Sequence, residues 1–342
     1  MKKSTKSGLI VLILLLIVMA VYTVITIRKM NSQTGTSQFF SSDSYRVAED
    51  SSDYDAIAAK SYKKDFIAAL YIEGTITAAN ASYNQKWLLS TIDSLKKNEK
   101  NAGLAVFINS PGGAVYQADE VYLALKDYRT TGRPVYIYQG PMAASGGYYI
   151  SCAGNKIYAN RNTLTGSIGV IMGESYDLTG LFERLGIKST TIHSGKNKNM
   201  MNYNEPFTEE QKAIMQAMCD ECYEQFVSIV ANSRNIQYDL CCDISDGRIY
   251  SAKQALELNL IDAIDSWENM LRDLAENELQ KPGIKVVTYK YQKKQTVYDM
   301  LTGKALEIEN AKAAAQLGLP VEVMKEMNNS DRFTPMYLAP LN

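Results

Sequence analysis

The chain reads as an α/β domain whose βαβ units build a mostly parallel sheet, preceded by one N-terminal transmembrane helix. Three observations predict this. Apolar runs of strand length, FIAALYIEGTI (66–76), LAVFIN (104–109) and VYIYQ (135–139), are separated by segments of helical period at 84–99 and 117–128. The alternation continues past residue 145, with a short apolar helix, short strands at 157–160 and 167–170, a helix over 178–186 stopped by Gly186, and a strand over 187–194. Ahead of all this, Gly8–Ile27 carries no charge and is long enough to cross a bilayer as a helix.

The elements can be justified in order. Lys2, Lys3 and Lys6 precede the apolar run, Arg28 and Lys29 follow it, and no A-x-A cleavage site comes after it. It therefore reads as an uncleaved anchor rather than a signal peptide, with the N-terminus cytoplasmic and the rest outside. Residues 1–29 are the tail and anchor, 30–62 a Ser/Thr/Asp-rich linker, and 63–342 the folded domain. Within that domain Trp87, Leu88, Leu89, Ile92 and Leu95 mark the apolar side of the first helix, and Val121, Leu123, Leu125 and Tyr128 that of the second. Thr208 and Gln211 have capping-box spacing and open a long helix to about Arg234, with Met215, Met218, Cys222 and Phe226 among its apolar residues. SAKQALELNLID (251–262) is a further amphipathic helix, IKVVTY (284–289) a strand, and 296–317 an amphipathic helix before the apolar end Met336–Leu341.

Composition excludes several classes. A formal net charge of -1 lacks the basic surplus that nucleic-acid binding requires. One histidine and no H-E-x-x-H exclude that type of zinc peptidase, and there is no P-loop or dinucleotide fingerprint. Cys219/Cys222 and Cys241/Cys242 resemble four zinc ligands, but the second pair has no spacer. Core cysteines, or a disulfide between the two pairs, are expected instead, with no metal or cofactor.

The residues that suit chemistry lie at strand ends. Asn109-Ser110-Pro111-Gly112-Gly113 is a turn that can aim amides at an oxyanion. Ala143-Ala144-Ser145-Gly146-Gly147 places a serine between a strand and a helix, where it could be a nucleophile or a simple N-cap. A serine needs a base. A desolvated lysine can serve, and Lys196 and Lys198 both lie in SGKNKN. His193 stands within a strand-like stretch with no orienting carboxylate motif. Ser167, in Thr165-Gly166-Ser167, could hold a lysine amine or merely close a turn.

The ordered set NSPGG, MAASGGYYIS, TGSIGV, SGKNKN and DGRIYSAKQALELNLID, over about residues 65–265, resembles the bacterial signal peptide peptidase A family, in its short membrane-anchored type. The resemblance implies a crotonase/Clp-protease-like fold and a Ser-Lys peptidase. It assigns Ser145 as nucleophile and Lys198, rather than Lys196, as base. It assigns Gly112, Gly113 and Gly146 to the oxyanion hole, Ser167 to the lysine amine, and Asp246-Gly247-Arg248 to a structural turn. It implies remnant signal peptides and other hydrophobic peptides as substrates, a membrane location and a ring-like homo-oligomer. Two departures stand out: Asn199 replaces the acidic residue common after the lysine, and Asn199–Asn204 lacks the usual S-P turn. They bear on the local loop and specificity. Alternatives are a related stomatin-operon-type membrane protease, an acyl-CoA enzyme of crotonase type, and an inactive peptide-binding scaffold.

Overall fold

The structure is a computed structural model, and it describes residues 45–46, 64–291 and 336–338. The anchor at 8–27, most of the linker and the helix expected over 296–317 lie outside the described residues. Among the described residues no helix is long and apolar enough to cross a membrane.

The domain is built on a nine-stranded sheet in the order β1-β10-β2-β3-β5-β6-β9, with β7 paired to β5 and β8 to β7. These strands are β1 (Tyr45–Arg46), β2 (Phe66–Glu73), β3 (Asn101–Ser110), β5 (Val135–Ala144), β6 (Lys156–Ala159), β7 (Leu164–Gly166), β8 (Ile249–Ser251), β9 (Ala263–Ile264) and β10 (Lys285–Tyr289). Every pairing is parallel except β7 with β8. The α/β class with a mostly parallel sheet thus stands.

The near-continuous apolar runs are explained by burial on both faces, as parallel sheets require. Alternate residues separate cleanly. Leu70, Ile72, Val106, Ile108 and Ile137 join one core with the buried faces of α1 (Gln85–Lys97), α2 (Val115–Arg129), α3 (Gly146–Ser151) and α5 (Glu209–Arg234). Ile67, Ala69, Ala105, Tyr136 and Tyr138 join a second core with Met270 and Leu271 of α8 (Trp267–Arg272) and with Leu274 beyond it. There Trp267 sits at the edge of a row formed by Tyr71, Phe107 and Tyr138, with neighbouring centroids 5.0 and 5.7 Å apart along the row.

The long helix begins as its sequence predicts. Thr208 Oγ1 accepts from Gln211 N at 3.3 Å, and Gln211 returns the bond to Thr208 N at 3.1 Å. At its far end the buried Arg234 guanidinium donates to both carboxylate oxygens of Asp262, which also accepts from Ile157 N on β6 at 2.7 Å. Three shorter helices, α4 (Thr179–Arg184), α6 (Tyr238–Asp243) and α7 (Ala252–Glu257), and a π-helical segment at Asp273–Glu278 complete the described set.

Several elements differ from expectation. The strand expected over 167–170 lies at Leu164–Gly166 instead, because Gly166 and Ser167 turn the backbone to φ 83 and 50 and end the ladder. Residues 187–194 form no strand: they are exposed, Ile192 at 96%, and no sheet edge takes their backbone. Leu123 and Met218 point to solvent, although their spacing had placed them on buried faces. The cysteines form no disulfide; Cys152 and Cys241 are buried, and the other three are half-buried.

Candidate active site

Two strand ends converge at one place, the carboxyl edge of the parallel sheet where α/β folds commonly hold ligands. After β3 the chain turns through Pro111 into β4 (Gly112–Ala114) and then α2. After β5 it turns through Ser145 into α3. Ser110 of one turn pairs in register with Ala143 of the other. Gly147 packs so closely that a Cβ there would lie 3.0 Å from Ser110 O. The small residues of both motifs let the two turns touch.

Ser145 occupies φ 53, ψ -117, a conformation that non-glycine residues adopt rarely. It is held there from both sides: its N–H donates to Gly166 O at 2.7 Å, and its carbonyl accepts from Tyr149 N at 2.8 Å. The side chain is buried, and its Oγ has no hydrogen-bond partner among the described residues. A simple N-cap serine would accept an amide of the first helical turn, and Ser145 does not. A buried hydroxyl without a partner costs about 1–3 kcal/mol, so its persistence favours a chemical role.

Gly112 and Gly113 take φ 102 and 159. A Cβ on Gly113 would overlap the Ile76 carbonyl, so no side chain fits. Ile76 clamps this turn: its N–H donates to Gly112 O and its carbonyl accepts from Ala114 N, both at 2.8 Å. Ser110 Oγ accepts the Gly112 N–H at 3.1 Å, which withdraws that amide from the site. The Gly113 N–H and C=O point away from Ile76, towards the opposite side of β4. On that side lies β11 (Met336–Leu338), antiparallel, with Tyr337 opposite Gly113. Met336 also pairs with Ile171 by backbone bonds of 3.0 and 2.9 Å. An extended segment of the chain's own end thus lies along the glycine turn.

Ser167 is buried at φ 50, with its N–H on Arg248 O at 2.8 Å. It directly follows Gly166, whose carbonyl holds Ser145, so the TGS motif and the Ser145 turn share one hydrogen bond. Thr165 Oγ1 reinforces this by donating to Ala143 O at 2.8 Å. Ser167 lines a cleft with Gly169, Val170, Cys219 and Asp246. Asp246 accepts from Arg248, whose hydrogen bonds hold its carboxyl at about 2, in keeping with a turn-stabilising role.

Among the described residues no hydrogen bond links Lys198 to Ser145 Oγ. Lys198 is exposed, on an exposed stretch, and among the described residues its amine makes no ion pair or hydrogen bond. Lys196, its competitor, is engaged with Glu210 on α5. His193 is exposed, with Nδ1 3.1 Å from Gly195 O and no link to the serine. Among the described residues no cluster of Cys, His, Asp and Glu could hold a metal ion.

Three contributors escaped the sequence reading: Ser110 as acceptor of the Gly112 amide, Ile76 as clamp, and β11. Ser110 stands inside the NSPGG motif. For Ile76 and β11 no local signal exists, because both act through backbone groups supplied across long stretches of sequence.

Residues 127–281, which include Ser145, Ser167 and Lys198, match peptidase family S49. The chain is 32% identical over 278 residues to an Enterococcus faecium protein named as a candidate signal peptide peptidase SppA, covering 79% of this chain and 80% of that one. It is 37% identical over 194 residues to a candidate protease of Synechocystis sp., covering 57% and 69%. It is 29% identical over 218 residues to the chloroplastic serine protease SPPA of Arabidopsis thaliana, covering 64% of this chain and 32% of that one. A strained serine at a glycine-lined strand end, in a chain so related along most of its length, makes this protein a serine-type peptidase belonging to family S49, in its signal peptide peptidase A branch.

Proposed function

We propose that the chain is a membrane-anchored endopeptidase that cuts remnant signal peptides and other hydrophobic peptides with a Ser145–Lys198 dyad. The observation that carries this is the buried, partnerless Ser145 Oγ, beside a glycine turn on which an extended segment is seated as an antiparallel strand. A substrate would add to the β4 edge as β11 does, its backbone bonds giving affinity without regard to sequence. Ser145 Oγ attacks the scissile carbonyl. The neutral Lys198 amine takes the serine proton and passes it to the leaving amine; water then hydrolyses the acyl-serine with the same lysine as base. The Gly113 and Gly146 amides would bind the oxyanion. Ser167 would steady the lysine amine.

Lys198 is exposed in the single chain, and on this reading assembly of copies into a ring would be what completes the dyad. The uncharged run at 8–27 would hold that ring at the outer face of the membrane, where signal-peptide remnants arise.

The test is peptidase activity of the full chain in detergent on a hydrophobic peptide, with Ser145→Ala and Lys198→Ala alongside. Both variants are expected to lose activity by at least about 1,000-fold while remaining folded. Because the base must be neutral, wild-type activity should rise from acid to alkaline pH. Full activity in Lys198→Ala, or a rate maximum at acid pH, would sink the dyad.

A further inference from the structure

The stretch that carries Lys198 is the barest part of the described chain. Between Gly173 and Pro206 only two residues are buried, Asn199 and Met201. Both lie within three positions of Lys198, and each is unusual for its type.

Asn199 is a buried amide in an otherwise solvated stretch, and its polar atoms are used in both senses. Its Nδ2 donates to Asn204 Oδ1 at 3.2 Å, and its Oδ1 accepts from Asn202 Nδ2 at 2.8 Å. Asn204 in turn donates to Ser189 Oγ and Thr191 Oγ1 at 3.2 and 2.9 Å. The amide therefore ties the lysine turn to the strand-like residues before it. Three successive backbone bonds tighten the same turn: Lys198 N to Gly195 O, Met200 N to Asn197 O and Asn202 N to Asn199 O, at 3.1 to 3.2 Å.

Met201 has φ 63, in the left-handed region. A bulky residue held there is strained and persists only where its surroundings over-determine it. What holds it is a small apolar cluster of Met172, Met215, Met200, Phe207 and Cys219. Met215 and Cys219 belong to α5, and Cys219 Sγ donates to Val170 O at 3.4 Å. Met172 and Val170 follow Ser167 closely in the chain, so Met201 fastens the lysine turn to the wall of the Ser167 cleft. Methionine suits such a gap because it is unbranched and adaptable.

We infer that Asn199 and Met201 are positioning residues for Lys198: the amide fixes the shape of its turn and the thioether fixes where that turn sits. This rests on the reading of Lys198 as the base. The Asn199 amide serves both bonds at once, donating to Asn204 and accepting from Asn202. A carboxylate there would keep its bond to Asn204 only by turning the Asn204 amide over. The exposed lysine is thus presented on a fixed footing rather than free to wander, and a misplaced base lowers the rate of proton transfer without weakening peptide binding.

The experiment measures kcat and KM for the full chain in detergent, with the folded fraction of each variant measured separately by circular dichroism. The variants are Asn199→Ala, Asn199→Asp, Met201→Ser and Met201→Leu, with Lys198→Ala alone and combined with Asn199→Ala. Asn199→Ala, Asn199→Asp and Met201→Ser should lower kcat by about 10- to 100-fold with KM within about twofold. Met201→Leu, which conserves volume, should stay within about twofold of wild type. Asn199→Ala should add no further loss to Lys198→Ala. Wild-type kcat in Asn199→Ala and Met201→Ser, with Lys198→Ala inactive, would overturn the inference and leave the dyad standing. A loss that merely tracks a smaller folded fraction would overturn it as well, since that is a folding defect. Full activity in Lys198→Ala would remove the dyad and this inference with it.

Discussion

Ser145 and Gly113 make the same point at the scale of single residues: their backbone conformations, more than their side chains, single them out. The sequence shows a serine among small residues and a Pro-Gly-Gly turn, patterns that ordinary caps and turns share. What distinguishes them is φ 53 at Ser145 with an idle hydroxyl, and a glycine whose Cβ would overlap Ile76. Gly113→Ala should therefore displace the turn and abolish peptidase activity, while circular dichroism shows an intact sheet and helices. A variant with wild-type kcat would mean that the Gly113 amide takes no part. Lys196→Ala should stay within about twofold of wild-type kcat, because its exposed pairing with Glu210 contributes little at the surface.

Among the elements, those set by local chemistry were legible and those set by distant partners were not. The capping box at Thr208 and Gln211 fixed the start of α5, and the run of apolar residues fixed β2, β3 and β5. The stretch 187–194 reads as a strand by composition, yet no strand of the sheet pairs with it, so β-branched residues alone did not suffice. The apolar end of the chain was visible, but its place as β11 on the β4 edge was not, since the pairing spans more than 200 residues. If peptides use that edge, β11 competes with them. Deleting residues 336–342 should then lower KM severalfold with kcat unchanged, because a larger fraction of chains has an open edge. Steady-state kinetics on the truncated and full chains decide it; an unchanged KM would show that peptides bind elsewhere.

For the molecule as a whole, Asp273 on the far face of the sheet contributes to stability in acid. Burial tends to raise the Asp273 carboxyl, but hydrogen bonds from Asn277, Lys156 and Tyr158 outweigh it and hold it at about 2. A depressed carboxylate stabilises the fold above its unfolded value near 3.8, and that contribution is lost as pH falls towards about 2. Discounted for solvent screening, the loss is on the order of 1 kcal/mol. Thermal unfolding of wild type should therefore show a steeper fall between pH 4 and pH 2 than that of Asp273→Asn, to about this extent. Parallel curves would show that the cluster does not link this face to pH. The sequence by itself determined the α/β class, the order of most elements and the motifs that hold Ser145, Gly113 and Ser167, because strand burial, helix capping and glycine turns are local in origin. Only the tertiary structure decided that Gly166 holds Ser145, that Ile76 and β11 flank the glycine turn, and that Lys198 stands exposed on a turn pinned by Asn199 and Met201. Each of these depends on groups far apart in the chain meeting at the carboxyl edge of one sheet, which no local pattern can encode.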